Sequence, residues 1–244
     1  MTVLHLAGAG EAADLAAFLA RLIHYDRAAA VRLQAGGGVL AVFGRPPSFE
    51  VLAVRTARLA DDTTLDRTVS AGELLDGVAE SAEALTVPAA VTGPPWTGLL
   101  PPRGGWQRVP GLPEPAALVR TVAAAVAEFR ARDEALPPQH RTRTERDRIG
   151  REIWSRTLGD THLPLRAAHA AQSLGFLRPV RDGALTGGGT GAGARSAQPV
   201  HQPLSLLSAG GWLRLSTPYG SIAVRTGGAA TGSTGLSGLP VTPV

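Results

Sequence analysis

The stretch AAVRLQAGGGVLAVFGRPPSFEVLAVRTARL, residues 29–59, decides the fold class. It contains three β-like runs, 29–34, 39–44 and 49–59, separated first by Gly36, Gly37 and Gly38 and then by Arg45, Pro46 and Pro47. Connections this short suit antiparallel neighbours, because a parallel crossover takes about a dozen residues or more. In the third run Val51, Ala53, Arg55 and Ala57 alternate with Leu52, Val54, Thr56 and Arg58, so one face of that strand is half polar. Far along the chain, WLRLSTPYGSIAVR at 212–225 reads as a hairpin turning at Pro218 to Gly220. A lone hairpin is at best marginally stable in water, so this one is expected to join the earlier strands.

Helical spacing surrounds these strands. Residues 11–24 place Leu15, Phe18, Leu19, Leu22 and Ile23 on one stripe, with Glu11 and Asp14 in the first turn where they complement the helix dipole. Ser70 and Glu73 have the capping-box spacing ahead of Leu74, Leu75 and Val78. Residues 115–132 carry Leu118, Val119, Val122, Val126 and Phe129 at helical intervals, and Pro137 with Pro138 ends them. A charged helix is predicted from about 142 to 158 and an alanine-rich one from 165 to 174, stopped by Gly175. Between the second and third helices, 88–113 reads as a long proline-rich loop without regular structure.

The expected fold is therefore α+β: a small antiparallel sheet, with strands near 29–34, 39–44, 49–59 and the hairpin 212–225, covered by several helices. Residues 1–180 and 203–225 are expected to form one domain. The glycine-rich segment 183–199 reads as a flexible linker and 226–244 as a disordered tail.

Composition excludes several chemistries. The 244 residues contain no Lys, Cys or Asn, and all 24 basic side chains are arginines. Without a primary amine there is no P-loop lysine and no Schiff-base anchor. Without a thiol there is no thiolate nucleophile, disulfide or cysteine zinc site. The abundance of Ala, Gly, Arg and Pro points to a high-GC genome of the actinobacterial kind, so the missing letters reflect codon bias. The formal net charge is only +4, which by itself does not argue for nucleic acid. No apolar run is long enough to span a bilayer and no leader pattern opens the chain, so a soluble, cytoplasmic protein without a membrane partner is expected.

Few motifs carry chemistry. Gly8, Gly10 and Ala13 have the G-x-G-x-x-A spacing of a dinucleotide site, but the second strand ends in Gln34 rather than an acid and the third follows a glycine turn, so no cofactor is expected. The histidines His5, His24, His140, His162, His169 and His201 have no metal-ligand spacing, so no metal is expected. Asp160 and Thr161 are placed to cap the helix that follows them. Arg141, Glu145, Arg148, Glu152 and Arg156, with Arg143, Asp147 and Arg151, make alternating stripes typical of a solvated, ion-paired helix face.

Three functional readings follow. The loop GPPWTGLLPPRGGW, 93–106, presents Trp96, Leu99, Leu100, Arg103 and Trp106 around two Pro-Pro pairs, and preorganised Trp and Arg are residues suited to a protein partner. The leading expectation is a protein-protein interaction or regulatory module without catalysis, acting through this loop. Equally open is the reading in which Trp96 and Trp106 tuck into the core and staple the loop across the sheet. The second functional reading is a DNA-binding regulator using the helix pair 142–174, with Arg166, His169, Gln172 and Ser173 as base readers. The third is an enzyme whose site lies between the sheet and the proline-rich loop, with catalytic residues that the sequence does not identify.

Overall fold

A computed structural model describes residues 2–79, 81, 83–178 and 204–226. The linker expected at 183–199 and the tail after Thr226 lie outside the described residues.

The fold is α+β, but its sheet is large rather than small. Eight strands form one antiparallel sheet: β2 (Ala30–Gly36), β3 (Val39–Gly44), β4 (Leu52–Arg58), β5 (Leu65–Ser70), β8 (Gln107–Val109), β9 (Ser205–Ala209), β10 (Trp212–Thr217) and β11 (Gly220–Arg225), in the order β5-β2-β3-β4-β11-β10-β9-β8. A second, three-stranded sheet combines β1 (Thr2–His5), β7 (Ala84–Val87) and β6 (Val78–Ala79). The expected docking of the distal hairpin is realised as β11 pairs antiparallel with β4, Ile222 opposite Ala53. The additional strands are short and polar on one face, and β8 lies inside the proline-rich segment expected to lack regular structure.

Two similar halves meet at the β4/β11 seam. In each, a helix precedes a three-stranded meander: α1 (Ala9–Tyr25) before β2-β3-β4, and α5 (Leu165–Ser173) before β9-β10-β11. The first hairpin of each half turns on a glycine pair with positive φ, Gly37 and Gly38 in one, Gly210 and Gly211 in the other. That conformation is required at both central positions of a two-residue turn matching strand twist, and glycine adopts it without steric cost.

Helices α1 and α5 pack on one face of the large sheet. Leu15, Phe18, Leu19 and Leu22 of α1 are buried against Val31, Leu33, Leu40 and Val42 of the sheet in one continuous core. Each such side chain contributes about 1.5–3 kcal/mol relative to exposure. The same core extends through Leu213, Leu215, Ile222 and Val224 to Ala167, Ala168, Ala170 and Ala171 of α5. Four alanines let α5 approach the sheet closely. Ser70 Oγ accepts from Glu73 N at the start of α2 (Ala71–Asp76), as its spacing predicts. Gly175, at φ +74, stops the chain after α5.

Helices α3 (Pro115–Glu134) and α4 (Arg143–Trp154) carry the expected charged stripe and extend it. Arg148 pairs with Glu145 and Glu152, and Arg143 with Asp147, along the exposed face of α4, and α3 supplies further partners. Arg132 donates twice to Glu152 at 2.8 and 2.7 Å, and Arg156 twice to Glu128 at 2.6 and 2.8 Å. The first of these arginines comes from α3, so the stripe is an interhelical clasp. One expectation is corrected, that Asp160 and Thr161 cap α5. Pro164 occupies the cap position without a side-chain bond, and Thr161 instead bridges Leu158 O and Leu163 N within the preceding turn.

The halves are locked by a buried cation. Arg55 on β4 is 7% exposed, donates from Nη2 to Asp14 of α1 at 2.9 Å and from Nη1 to Tyr219 O in the β10–β11 turn at 2.6 Å. Arg178, following α5, donates to the other oxygen of Asp14 at 2.7 Å and lies over the Tyr219 ring.

Candidate interaction surface

Side chains alternate across a sheet, so the face opposite the helices is defined by the register. In one row Arg108 (β8) lies opposite Leu207 (β9), which lies opposite Arg214 (β10), then Ala223 (β11) and Leu52 (β4). The next row is Ser205, Ser216, Ser221 and Val54, and a third is Ala209, Trp212 and Arg225. The 93–106 loop lies on this outer face. Leu52, Trp212 and Ala223 form a second apolar cluster, with Trp96, Leu100 and Trp106 packed against it.

The structure thus brings together three of the five residues expected to meet a partner, and it makes the roles of the five unequal. Trp96, Leu100 and Trp106 are half-buried and serve as staples, Trp106 also donating Nε1 to Pro102 O at 3.1 Å. Leu99 is 49% exposed and Arg103 is exposed, so these two carry no load in the cluster. Both tryptophans are packed against the sheet, as the core-staple reading expects, and both remain partly exposed.

Sequence reasoning missed the sheet beneath the loop. Arg214 is half-buried, its Nε donates to Ser221 Oγ at 2.9 Å, and its guanidinium sits 5.6 Å from the Trp106 ring centroid. Burial pushes it below the ordinary arginine range. Arg225 lies over Trp212 at 5.8 Å. Among the described residues, no carboxylate lies within ion-pair distance of Arg108, Arg214 or Arg225. The signal available in the sequence was an absence of acids: neither 84–113 nor 204–226 contains an Asp or Glu.

The other candidate residues are placed differently. His169 is stacked on Trp154 at 4.2 Å and meets the Phe49 edge at 5.1 Å, and burial pushes its pKa down. Arg166 is half-buried beside Glu50, while Gln172 alone is fully exposed among the four residues read as base contacts. Helix α5 is enclosed by α3, α4 and β11, so it is not a protruding recognition helix. The glycine-rich entry to α1 follows a strand paired antiparallel with β7, and Glu83 Oε1 accepts from Ala9 N at 3.0 Å. That carboxylate occupies the place a pyrophosphate takes in a parallel dinucleotide fold. His5 pairs with Asp61 at 2.9 Å on the surface, and among the described residues no three His, Asp or Glu side chains gather as metal ligands. A cleft of about 570 Å³ lies where Trp96 and Gly93 approach Asp26, Arg45 and Ser70. Among the described residues no helix is long and apolar enough to cross a membrane.

These features define a two-module α+β protein in which each module contributes four strands to a shared sheet and the joint between modules runs through the loop on its outer face. Comparison with known families divides the chain at the same place. A family model described as a domain of unknown function, DUF8185, matches residues 101–229, more than half of the chain, and the chain belongs to that family. A second model, domain of unknown function DUF8010, matches residues 1–98. Trp96 thus comes from one module and Trp106 from the other. No curated protein and no solved structure matches the chain.

Proposed function

We propose that this chain is a protein-protein interaction module that acts by binding rather than by catalysis, through the 93–106 loop and the sheet face beneath it. The observation that carries this reading is the position of Leu99 and Arg103, exposed on a proline-stiffened loop whose tryptophans are anchored to the sheet. A loop held in place loses little conformational freedom on binding, so contacts at its tip convert efficiently into affinity. Truncating the tryptophans is a poor test, because it also releases the loop from Leu52, Trp212 and Ala223.

The test is site-specific photo-crosslinking. A benzophenone side chain introduced at Leu99 is expected to capture discrete protein bands from the native lysate. The same group at Val119, an exposed apolar site on α3, is the control. Identical labelling from both positions overturns the interaction reading.

A further inference from the structure

The formal net charge of +4 equals the number of arginines in two acid-free segments of the chain. Segments 84–113 and 204–226 contain Arg103, Arg108, Arg214 and Arg225 and no acid, while the other twenty arginines of the chain are matched by its twenty acids. The two segments are far apart in sequence. Pairing of β8 with β9, Arg108 opposite Leu207, brings them onto one sheet. The distal half of this face, where these segments lie, carries no acid of their own, and low-dielectric walls of tryptophan and leucine focus positive potential there rather than dissipating it.

Elsewhere on the same face an arginine is neutralised. Arg32 on β2 donates Nε to Asp66 on β5 at 2.6 Å, and Gln34 donates to the other oxygen of Asp66 at 3.3 Å. Arg214 occupies a comparable cross-strand setting on the distal half, with Ser221 as its neighbour in place of a carboxylate. Its charge is partly desolvated with a hydroxyl and an aromatic ring but no carboxylate beside it, a state that an incoming anion relieves.

We propose, building on the interaction reading above, that this face docks an acidic, extended segment of a partner protein, with Arg214 as the anchor and Arg108 and Arg225 as flanking contacts. Spacing and chemistry favour a peptide over a nucleic acid strand. Arg225 is diagonal to Arg214 across neighbouring strands, about 7–8 Å away, and alternate side chains of an extended peptide lie about 7 Å apart. Arg214 already lies over the Trp106 ring and Arg225 over the Trp212 ring, which leaves these rings less suited to stacking bases. Leu99 and half-buried Leu207 add apolar contacts suited to Leu or Phe between the acids.

The experiment measures fluorescence anisotropy of the full-length chain with three labelled probes. These are 12-residue peptides with Glu at alternate positions and Leu or Phe between them, the same peptides with Gln for Glu, and a fifteen-nucleotide oligothymidine. The Glu peptides are expected to bind at least tenfold more tightly than either other probe, with affinity falling as salt rises. Arg214→Gln and, separately, Arg108→Gln are expected to weaken the Glu peptides tenfold or more. Arg120→Gln and Arg130→Gln, on the exposed face of α3, should leave them unchanged. Arg108 is exposed at a sheet edge, so its variant tests the surface even if Arg214→Gln disturbs folding. Equal binding of Glu and Gln peptides, or no effect of either face variant, overturns the proposal. Tighter binding of the oligonucleotide overturns it in favour of nucleic acid. Crosslinking from Leu99 that persists alongside such a failure leaves the interaction reading standing, whereas loss of both removes the two together.

Discussion

The two halves of the sheet share a plan and differ in what they do with charge. Both begin with a helix, turn a first hairpin on two glycines and end on a strand at the central seam. The proximal half neutralises Arg32 on the outer face with Asp66, and among the described residues no carboxylate pairs with Arg108, Arg214 or Arg225 on the outer face of the distal half. One half is thus finished as a scaffold, and the other retains a desolvated cation beneath an aromatic loop. The proposed binding role rests on this difference: Arg214 is held by a hydroxyl and an aromatic ring, whereas Arg32 has a carboxylate.

The largest expected effect comes from separating the halves. Arg55→Met removes the cation that ties β4 to α1 and to the β10–β11 turn, leaving Asp14 with Arg178 alone. A loss of about 3 kcal/mol in urea unfolding is expected, the lower end for breaking a buried ion pair. A loss below about 1 kcal/mol would show that the halves hold together by the apolar seam alone.

The next test compares the two outward arginines directly. Arg32→Met should cost about 1 kcal/mol through lost bonds to Asp66 and Thr68. Arg214→Met should be neutral or stabilising by up to about 1 kcal/mol, since replacing an uncompensated cation with an apolar chain removes a desolvation cost. Equal destabilisation by both would erase the contrast.

Acid should loosen the distal half before the proximal one. The core face of α1 is aliphatic and phenyl, whereas α5 includes His169, half-buried between Trp154 and Phe49. Burial lowers the histidine pKa from its ordinary 6.5, so below that value the unfolded chain binds more protons than the folded one. Stability from this source is full above about pH 6.5 and declines as pH falls through it. His169→Phe should flatten hydrogen exchange of α5 amides between pH 7 and 5.5, leaving α1 unaffected.

The smallest effect is expected in the α3–α4 clasp. Hydrogen bonding by Arg156 holds the Glu128 carboxyl below its ordinary range, and Arg132 does the same for Glu152. Depressed carboxyl values stabilise above the ordinary carboxylate range, and that contribution disappears as pH falls through the folded-state values. The clasp is solvent-facing, so high salt should weaken it. Thermal melting of Glu128→Gln with Glu152→Gln is expected to show less acid and salt dependence than the parent.

Much of the fold was legible because the signals were local. The helical stripe of residues 11–24, the Ser70 cap, the Gly175 stop and the Pro218 to Gly220 turn each depend on a few neighbouring side chains, and all are present. The strands at 65–70, 107–109 and 205–209 were not legible. They are three to six residues long, and serines or charges on their outward face dilute the alternation. Such segments become strands because a neighbour satisfies their backbone, which is a tertiary fact. The candidate site shows the same division. The loop stood out through Trp and Pro, while Arg214 drew no attention as a polar position in a hairpin.

The sequence by itself determined the helices, the turns, the antiparallel pairing of residues 29–59 and the acid-free character of two distant segments. Only the tertiary structure decided that those segments share a face, that Asp66 serves Arg32, and that no carboxylate among the described residues serves Arg214. The physical reason is that backbone preference and side-chain period act over a few residues. The meaning of a charge depends on what the sheet places within a few ångströms of it.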